Sequence, residues 1–433
     1  MKKSLGKTTI WTATSTLAKI LIGLLVVKLL AVHFGTEGVG RAANYMTLLT
    51  VLGVFAGAGI FNGVTKYVAE YEEQQPQLSA VLATSSLIIL LFSVLLGVVL
   101  FAFSAPIADF LFAENGYQNV IRIVAVAQLG IALSNYFLAI LRGQRNAKGN
   151  AISIIIGALI GIIAFLIGLY TFGYQGALVG LALIPAVAVL PAYFMLKKPN
   201  LHFSLSLLKP HFESQYARKL LKFSGMVFVT AITLPLAYIL MRDWLIQSYS
   251  VHDVGLWQGI SKISDAYLQF ITAAFSVYLL PTFSKLTHHQ AIKQEVWKAL
   301  KFVLPVTLFV SVSIYLLREI VIRILFSEQF LPMENLFLWQ LLGDVFKVSA
   351  YIFGYLIVAK AALKLYVLAE ISQLVLLLGT SYWLIPAHGA QGATQSYMIT
   401  YIVYFMLCVS GFLIYQKRMT RLTERSSTTV GNT

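Results

Sequence analysis

The chain has 433 residues, 58% of them hydrophobic and 11% charged, with a mean hydropathy of +0.80 and a formal net charge of +15. Soluble domains carry about a quarter charged residues, so the composition excludes a soluble protein and points to a membrane-embedded one. No alternation over about ten residues recurs, which excludes a β-barrel, and the single cysteine, Cys408, excludes an intrachain disulfide and a cysteine-cluster metal site.

The first apolar helix follows MKKSLGKTTIW. It shows no small-residue cleavage site and exceeds a signal h-region, so it is expected to remain as the first span. Apolar runs of roughly 20 residues, each able to cross a hydrocarbon core of about 30 Å as a helix, then recur along the chain. Twelve spans are expected near 8–33, 40–66, 78–103, 119–141, 150–172, 175–197, 219–247, 252–282, 296–317, 334–359, 362–385 and 390–416. The connections are short, the longest being 198–218, KPNLHFSLSLLKPHFESQYAR.

Charge sets the orientation. With the N-terminus inside, inner loops and tails collect 23 Lys and Arg, including Lys2, Lys3, Arg142, Lys148, Lys197, Lys209, Lys360, Lys364 and Lys417, whereas outer ends hold five: Arg41, Arg122, Arg242, Arg318 and Arg323. The positive-inside rule then puts both termini in the cytoplasm. The basic excess is topological, and no nucleic-acid partner is expected. The six tryptophans fall near span ends, as an interfacial belt requires.

The chain repeats itself weakly. GTEGVGRAANY opens span 2 and YSVHDVGLWQG opens span 8; YQGALVG opens span 6 and AHGAQGA opens span 12. Gly40 and Gly176 are 136 residues apart, and Gly255 and Gly389 are 134 apart. The expected fold class is therefore an all-α polytopic membrane protein, with two pseudo-symmetric six-helix lobes around a central cavity. The lobes are 1–197 and 219–417, joined by the basic linker 198–218 and followed by a tail, 418–433.

Seven ionisable residues remain inside spans: Lys19, Lys28, Lys262, Lys347, Asp265, Asp344 and Glu370. A charge at a span centre costs about 2.5–3.5 kcal/mol on insertion scales, so it faces a partner or a watered path. Lys262 and Asp265 in span 8, and Asp344 and Lys347 in span 10, are each spaced i, i+3 and lie at similar depth, so each pair shares a helix face. The matching positions in span 2 are Thr47 and Thr50, which assigns the charged patch to the second lobe. Two readings stand. The pairs are internal ion pairs bracing the lobe, or they line a polar cavity that is cationic for an anionic substrate and holds carboxylates able to take protons. On the second reading Lys19, Lys28, Lys262 and Lys347 are candidates for binding a substrate headgroup. Asp265, Asp344 and Glu370 are then candidates for a coupling ion, although Glu370 could instead bond Ser372 or Gln373. Lys19 and Lys28 are about 180° apart on a straight helix and cannot share one cavity unless it bends.

No Walker A loop and no paired histidine ligands occur, so neither ATP hydrolysis nor metal chemistry is expected, and no cofactor. A membrane glycan polymerase would need a large outer loop, and TFGYQ, SYSVHD and IPAHG are short.

Several strings carry a family likeness: VLGVFAGAGIFNGVTKYVAEY, WQGISKISDAYLQFITAAFSVYLLPT, LKFVLP, WQLLGDVFKVSAYIFGYL and LIPAHGA. They resemble the polysaccharide-repeat flippases of the multidrug/oligosaccharidyl-lipid/polysaccharide exporter superfamily, over residues 8 to 416. The resemblance implies twelve helices in two lobes, alternating access in a bacterial inner membrane, and drive from the proton-motive force. It implies a substrate of undecaprenyl diphosphate carrying a short amino-sugar oligosaccharide, with a glycan polymerase and a chain-length regulator as pathway partners. A cation-coupled drug exporter shares this fold, but interior lysines favour an anion.

Overall fold

In the computed structural model the described residues are 5–112, 114–197, 209–286, 288–360 and 362–430. Their regular structure is all helical, with no strand among them. Hydrocarbon offers no water to an unpaired peptide group, so each apolar run closes its own hydrogen bonds as a helix. The helices are α1 (Leu5–Phe55), α2 (Phe61–Glu70), α3 (Gln75–Ala102), α4 (Ser104–Phe112), α5 (Gln118–Gly143), α6 (Ala147–Ala186), α7 (Val189–Leu196), α8 (Ser214–Leu221) and α9 (Ser224–Ser248). Then come α10 (Val251–Lys285), α11 (His289–Leu316), α12 (Arg318–Leu325), a 3-10 segment (Glu328–Leu336), α13 (Phe337–Ala359) and α14 (Leu363–Val430). Among the described residues, nine helical stretches are long and apolar enough to cross a membrane.

Three of those stretches are too long for one crossing. A straight helix of 68 residues, the span of α14, would run about 100 Å at about 1.5 Å per residue, far beyond a bilayer core of about 30 Å. Each is broken by a glycine with positive φ: Gly35 in α1 (φ 64), Gly173 in α6 (φ 60) and Gly389 in α14 (φ 59). Their ψ values, between −135 and −163, complete a backbone state open essentially to glycine alone. At Gly173 the chain turns back on itself, because a Cβ on Gly168 would meet the Gly176 carbonyl at 2.3 Å. At Gly389 a Cβ on Gly392 would meet the Leu384 carbonyl at 2.0 Å. TFGYQ and IPAHG are therefore reversals between apolar arms.

The chain divides into two compact units, Met1–Ile239 and Leu240–Thr433, with the boundary inside α9. Of the basic connection expected at 198–218, residues 198–208 lie outside the described residues. Its end, α8, packs on the N-terminal unit: Tyr216, Ala217 and Leu220 are buried in the same core as Tyr67, Val81, Leu82 and Tyr136. Lipid supplies little hydrophobic drive between helices, so polar side chains tie them instead. In the N-terminal unit Gln128 donates to the Ser93 carbonyl at 2.6 Å, Ser134 to Ala186 at 2.9 Å, Asn135 to Gly53 at 3.0 Å and Ser224 to Ala58 at 2.5 Å.

In the C-terminal unit, Leu268, Phe275, Leu279 and Phe283 of α10 pack with Val296, Leu300 and Val303 of α11, Ile352 and Phe353 of α13, and Phe412 of α14. The start of α10 is fixed by Ser250, whose hydroxyl accepts from the Asp253 amide at 3.3 Å and donates to the Asp253 carboxylate at 2.6 Å. That reciprocal cap satisfies one of the donors a helix start leaves open.

Candidate functional site

Asp344 is fully buried on α13. Three hydroxyls donate to it: Ser264 at 2.6 Å and Tyr267 at 2.5 Å to one carboxylate oxygen, and Tyr397 at 2.6 Å to the other. Ser264 and Tyr267 come from α10 and Tyr397 from α14, so one side chain gathers three helices. Gly343 makes the room, since a Cβ there would stand 2.4 Å from the Tyr397 ring.

Lys347 lies one turn further along α13 and is also buried. Its ammonium sits 5.0 Å from the Tyr397 ring centre and 4.9 Å from that of Tyr401. Those two rings meet edge to face at 4.7 Å. A ring face attracts a cation, and the attraction grows when both are desolvated. Tyr397 therefore serves both charges, giving its hydroxyl to Asp344 and its face to Lys347.

Lys262 and Asp265 take the other side of α10. Their ion pair spans 3.5 Å with the side chains 33% and 53% exposed. At about 100° per residue, the face carrying Lys262 and Asp265 stands roughly 160° from the face carrying Ser264 and Tyr267. Asp344 is thus met by the hydroxyl face of α10 and not by Lys262. Lys19 and Lys28 belong to α1 of the N-terminal unit, Lys19 exposed and Lys28 half-buried. Thr47 and Thr50 of the same helix bond their own backbone, at Ala43 and Met46. Glu370 is half-buried on α14 and lines a cavity with several tyrosines, among them Tyr404, whose ring lies 6.4 Å from that of Tyr401. Ser372 and Gln373 beside it both bond the Ala369 carbonyl.

Sequence reading missed Ser264, Tyr267, Tyr397 and Tyr401. The signal available was a second i, i+3 pair, Ser264 and Tyr267, interleaved with the charged one, and the spacing of Tyr397 and Tyr401 by one turn. Hydroxyl groups give the cluster its chemistry. A hydroxyl both donates and accepts, whereas lysine, arginine and a backbone amide only donate. The partners of Asp344 can therefore satisfy an ionised carboxylate and turn to receive a proton from a neutral carboxyl without being replaced.

Residues 5–287 match the family described as polysaccharide biosynthesis protein. The chain is 55% identical over 415 residues to the lipid III flippase of Escherichia coli strain K12, across 96% of this chain and all of that one. Its fold matches an inward-facing multidrug resistance MATE family transporter of the MOP superfamily, with a TM-score of 0.72 at 17% identity over 95% of this chain and 96% of that one. An outward-facing MATE structure matches with a TM-score of 0.69 at 16% identity over 95% of each chain. Likeness of this extent, in sequence and in fold, makes the chain a multi-pass membrane transporter that belongs to the polysaccharide biosynthesis protein family.

Proposed function

We propose that the chain flips lipid III, an oligosaccharide carried on undecaprenyl diphosphate, from the cytoplasmic to the periplasmic leaflet of the inner membrane. The observation that carries this reading is the 55% identity, over 96% of the chain, to a lipid III flippase. On this reading both termini are cytoplasmic. On it, too, the nine long helices among the described residues, broken at Gly35, Gly173 and Gly389, make twelve crossings in two lobes, and a glycan polymerase and chain-length regulator act downstream.

The chemistry of the interior supports an anionic head. Lys347 is a compact cation held in a low-dielectric setting, where its field on a passing diphosphate is weakly screened. Lys262, and Lys19 and Lys28 of the other unit, add positive charge along spans that otherwise carry little. The polyprenyl tail stays in lipid while the head crosses. Asp344 is the proposed coupling site, with Asp265 and Glu370 as further carboxylates. An ion drives the cycle only if it interacts differently with the inward-open and outward-open states. Three hydroxyls from two other helices converge on Asp344, which supports a proton there biasing how the helices pack.

Complementation tests the assignment. A strain lacking its lipid III flippase, supplied with this chain, should clear the accumulated lipid intermediate as identified by mass spectrometry. Persistence of the intermediate with the protein folded in the membrane, together with export of cationic dyes, would make the chain a drug exporter on the same fold.

A further inference from the structure

A cavity of about 220 Å³ lies within the C-terminal unit, among the end of α13, the start of α14 and the middle of α10. Tyr351, Tyr355, Tyr366 and Tyr404 line it together with Glu370 and Gln373. Tyr355 is fixed by donating to the Thr272 carbonyl at 3.1 Å and by an edge-to-face contact with Phe275 at 5.9 Å. The wall is thus built of aromatic rings, that of Tyr355 held in place, with a carboxylate and an amide among them. Apolar faces with a few convergent polar groups are the pattern of a small-molecule site.

Size and charge narrow the ligand. A cavity of about 150 Å³ already takes benzene, so this one suits a six-membered ring and is far too large for a bare ion. Tyrosine rings cover the C–H face of a pyranose, and their hydroxyls, with Glu370 and Gln373, meet its hydroxyls. An organic cation would also answer a carboxylate among tyrosines. The charge of the adjoining turn argues against it. The turn from α13 to α14 carries Lys360 and Lys364, both exposed, each two residues from a lining residue, Val358 and Tyr366. Lys360 donates to the Leu286 carbonyl and so ties this turn to the end of α10. Two lysines on the turn next to the cavity disfavour a cation there and favour a phosphate.

We propose that this cavity is a loading subsite for a sugar ring, the one joined to the diphosphate, with Lys360 and Lys364 of the adjoining turn drawing the phosphate. The assignment rests on the flippase reading, from which it takes the diphosphate. It gives Glu370 a role in holding the glycan.

Saturation-transfer NMR on the full chain in nanodiscs tests it, with methyl N-acetylglucosaminide as the probe. The wild-type protein should saturate the pyranose ring protons. Glu370→Gln and Tyr366→Ala should each weaken that signal by about tenfold, the loss expected of one or two good contacts. Tyr170→Ala, at a tyrosine 71% exposed in the N-terminal unit, should leave it unchanged. Either site variant serves if the other fails to fold. No transfer in the wild type, or full transfer in both folded variants, overturns the subsite. So does saturation of tetraphenylphosphonium that depends on Glu370 while the glycoside gives none. Flipping by wild-type proteoliposomes is measured alongside. Flipping without glycoside contact sinks the subsite alone, whereas glycoside contact without flipping sinks the transport reading and keeps the sugar site.

Discussion

Tyr397 donates its hydroxyl to Asp344 at 2.6 Å while its ring lies 5.0 Å from the ammonium of Lys347. One tyrosine on α14 thus holds an acid and a base that sit one turn apart on α13. Removing the hydroxyl alone, in Tyr397→Phe, takes one of three donors from a buried carboxylate and keeps the ring for Lys347. The expected loss is about 1–3 kcal/mol of stability, read as a lower melting temperature in detergent, with transport slowed. Unchanged melting would show that Asp344 does not depend on this bond.

Lys262 and Asp265 behave differently. With side chains 33% and 53% exposed, their pair resembles exposed ion pairs, which contribute about 0–1 kcal/mol. Lys262→Ala should therefore leave melting nearly unchanged and still reduce flipping, because the headgroup proposal makes it one of the cations that meet the substrate. Lys347→Ala should lower both. In a double-mutant cycle, the stability coupling between Lys262 and Asp265 should fall below about 0.5 kcal/mol. A coupling of several kcal/mol with normal flipping would make the pair a brace and nothing more.

The fold was legible in the sequence because membrane helices obey a length rule, and the turns TFGYQ and IPAHG appear as reversals at Gly173 and Gly389. The site was legible only in its charges. Asp344, Lys347, Lys262 and Asp265 stand out in an apolar span, since few ionisable residues survive there. Ser264, Tyr267 and Tyr397 do not stand out, because serine and tyrosine are ordinary in membrane helices. Their meaning comes from convergence on one carboxylate, which depends on how α10, α13 and α14 pack. The opposed faces of α10 were readable from spacing, but which face meets α13 was not.

Topology follows from cysteine labelling in a Cys408→Ser background. Gln175→Cys and Ser248→Cys, both exposed, should react with a membrane-impermeant maleimide added to the periplasmic side. Gln215→Cys, exposed at the start of α8, should react only after the membrane is opened. Labelling of Gln215→Cys in sealed spheroplasts would reverse the orientation inferred from the positive-inside rule.

Lys219 gives a pH prediction. Its ammonium donates to the Tyr71 hydroxyl at 3.0 Å and lies 5.3 to 5.9 Å from the rings of Tyr67, Tyr71 and Tyr216. The bond to Tyr71 holds the lysine above its ordinary range, with the nearby tyrosines adding to the effect. A pKa raised on folding stabilises fully below the unfolded value of about 10.4 and fades as pH rises through the folded one. The difference in protease resistance of α8 between wild type and Tyr71→Phe should be constant well below the unfolded lysine value of about 10.4 and shrink as the pH rises past it. A difference that instead grows with pH would mean that the Tyr71 hydroxyl acts through packing.

The coupling proposal separates Asp344 from Asp265. Asp344 faces Ser264 and Tyr267 of α10 and Tyr397 of α14, with Lys347 as the nearby cation on its own helix. Those hydroxyls can reverse when the carboxyl gains a proton. The change would alter contacts among three helices and free Lys347 from an adjacent negative charge, which strengthens its hold on a diphosphate. Asp265 is more than half exposed and paired with Lys262, so its protonation changes little beyond that turn. Asn at either position keeps the shape and removes the titration, and the cage hydroxyls can accept from an amide as they would from a protonated acid. Flipping in proteoliposomes with an imposed pH gradient should therefore lose its gradient dependence in Asp344→Asn while retaining a slow, gradient-independent rate. Asp265→Asn should stay gradient-dependent. If Asp344→Asn responds to the gradient as the wild type does, the cluster is a structural clamp among α10, α13 and α14, and the coupling proton binds elsewhere.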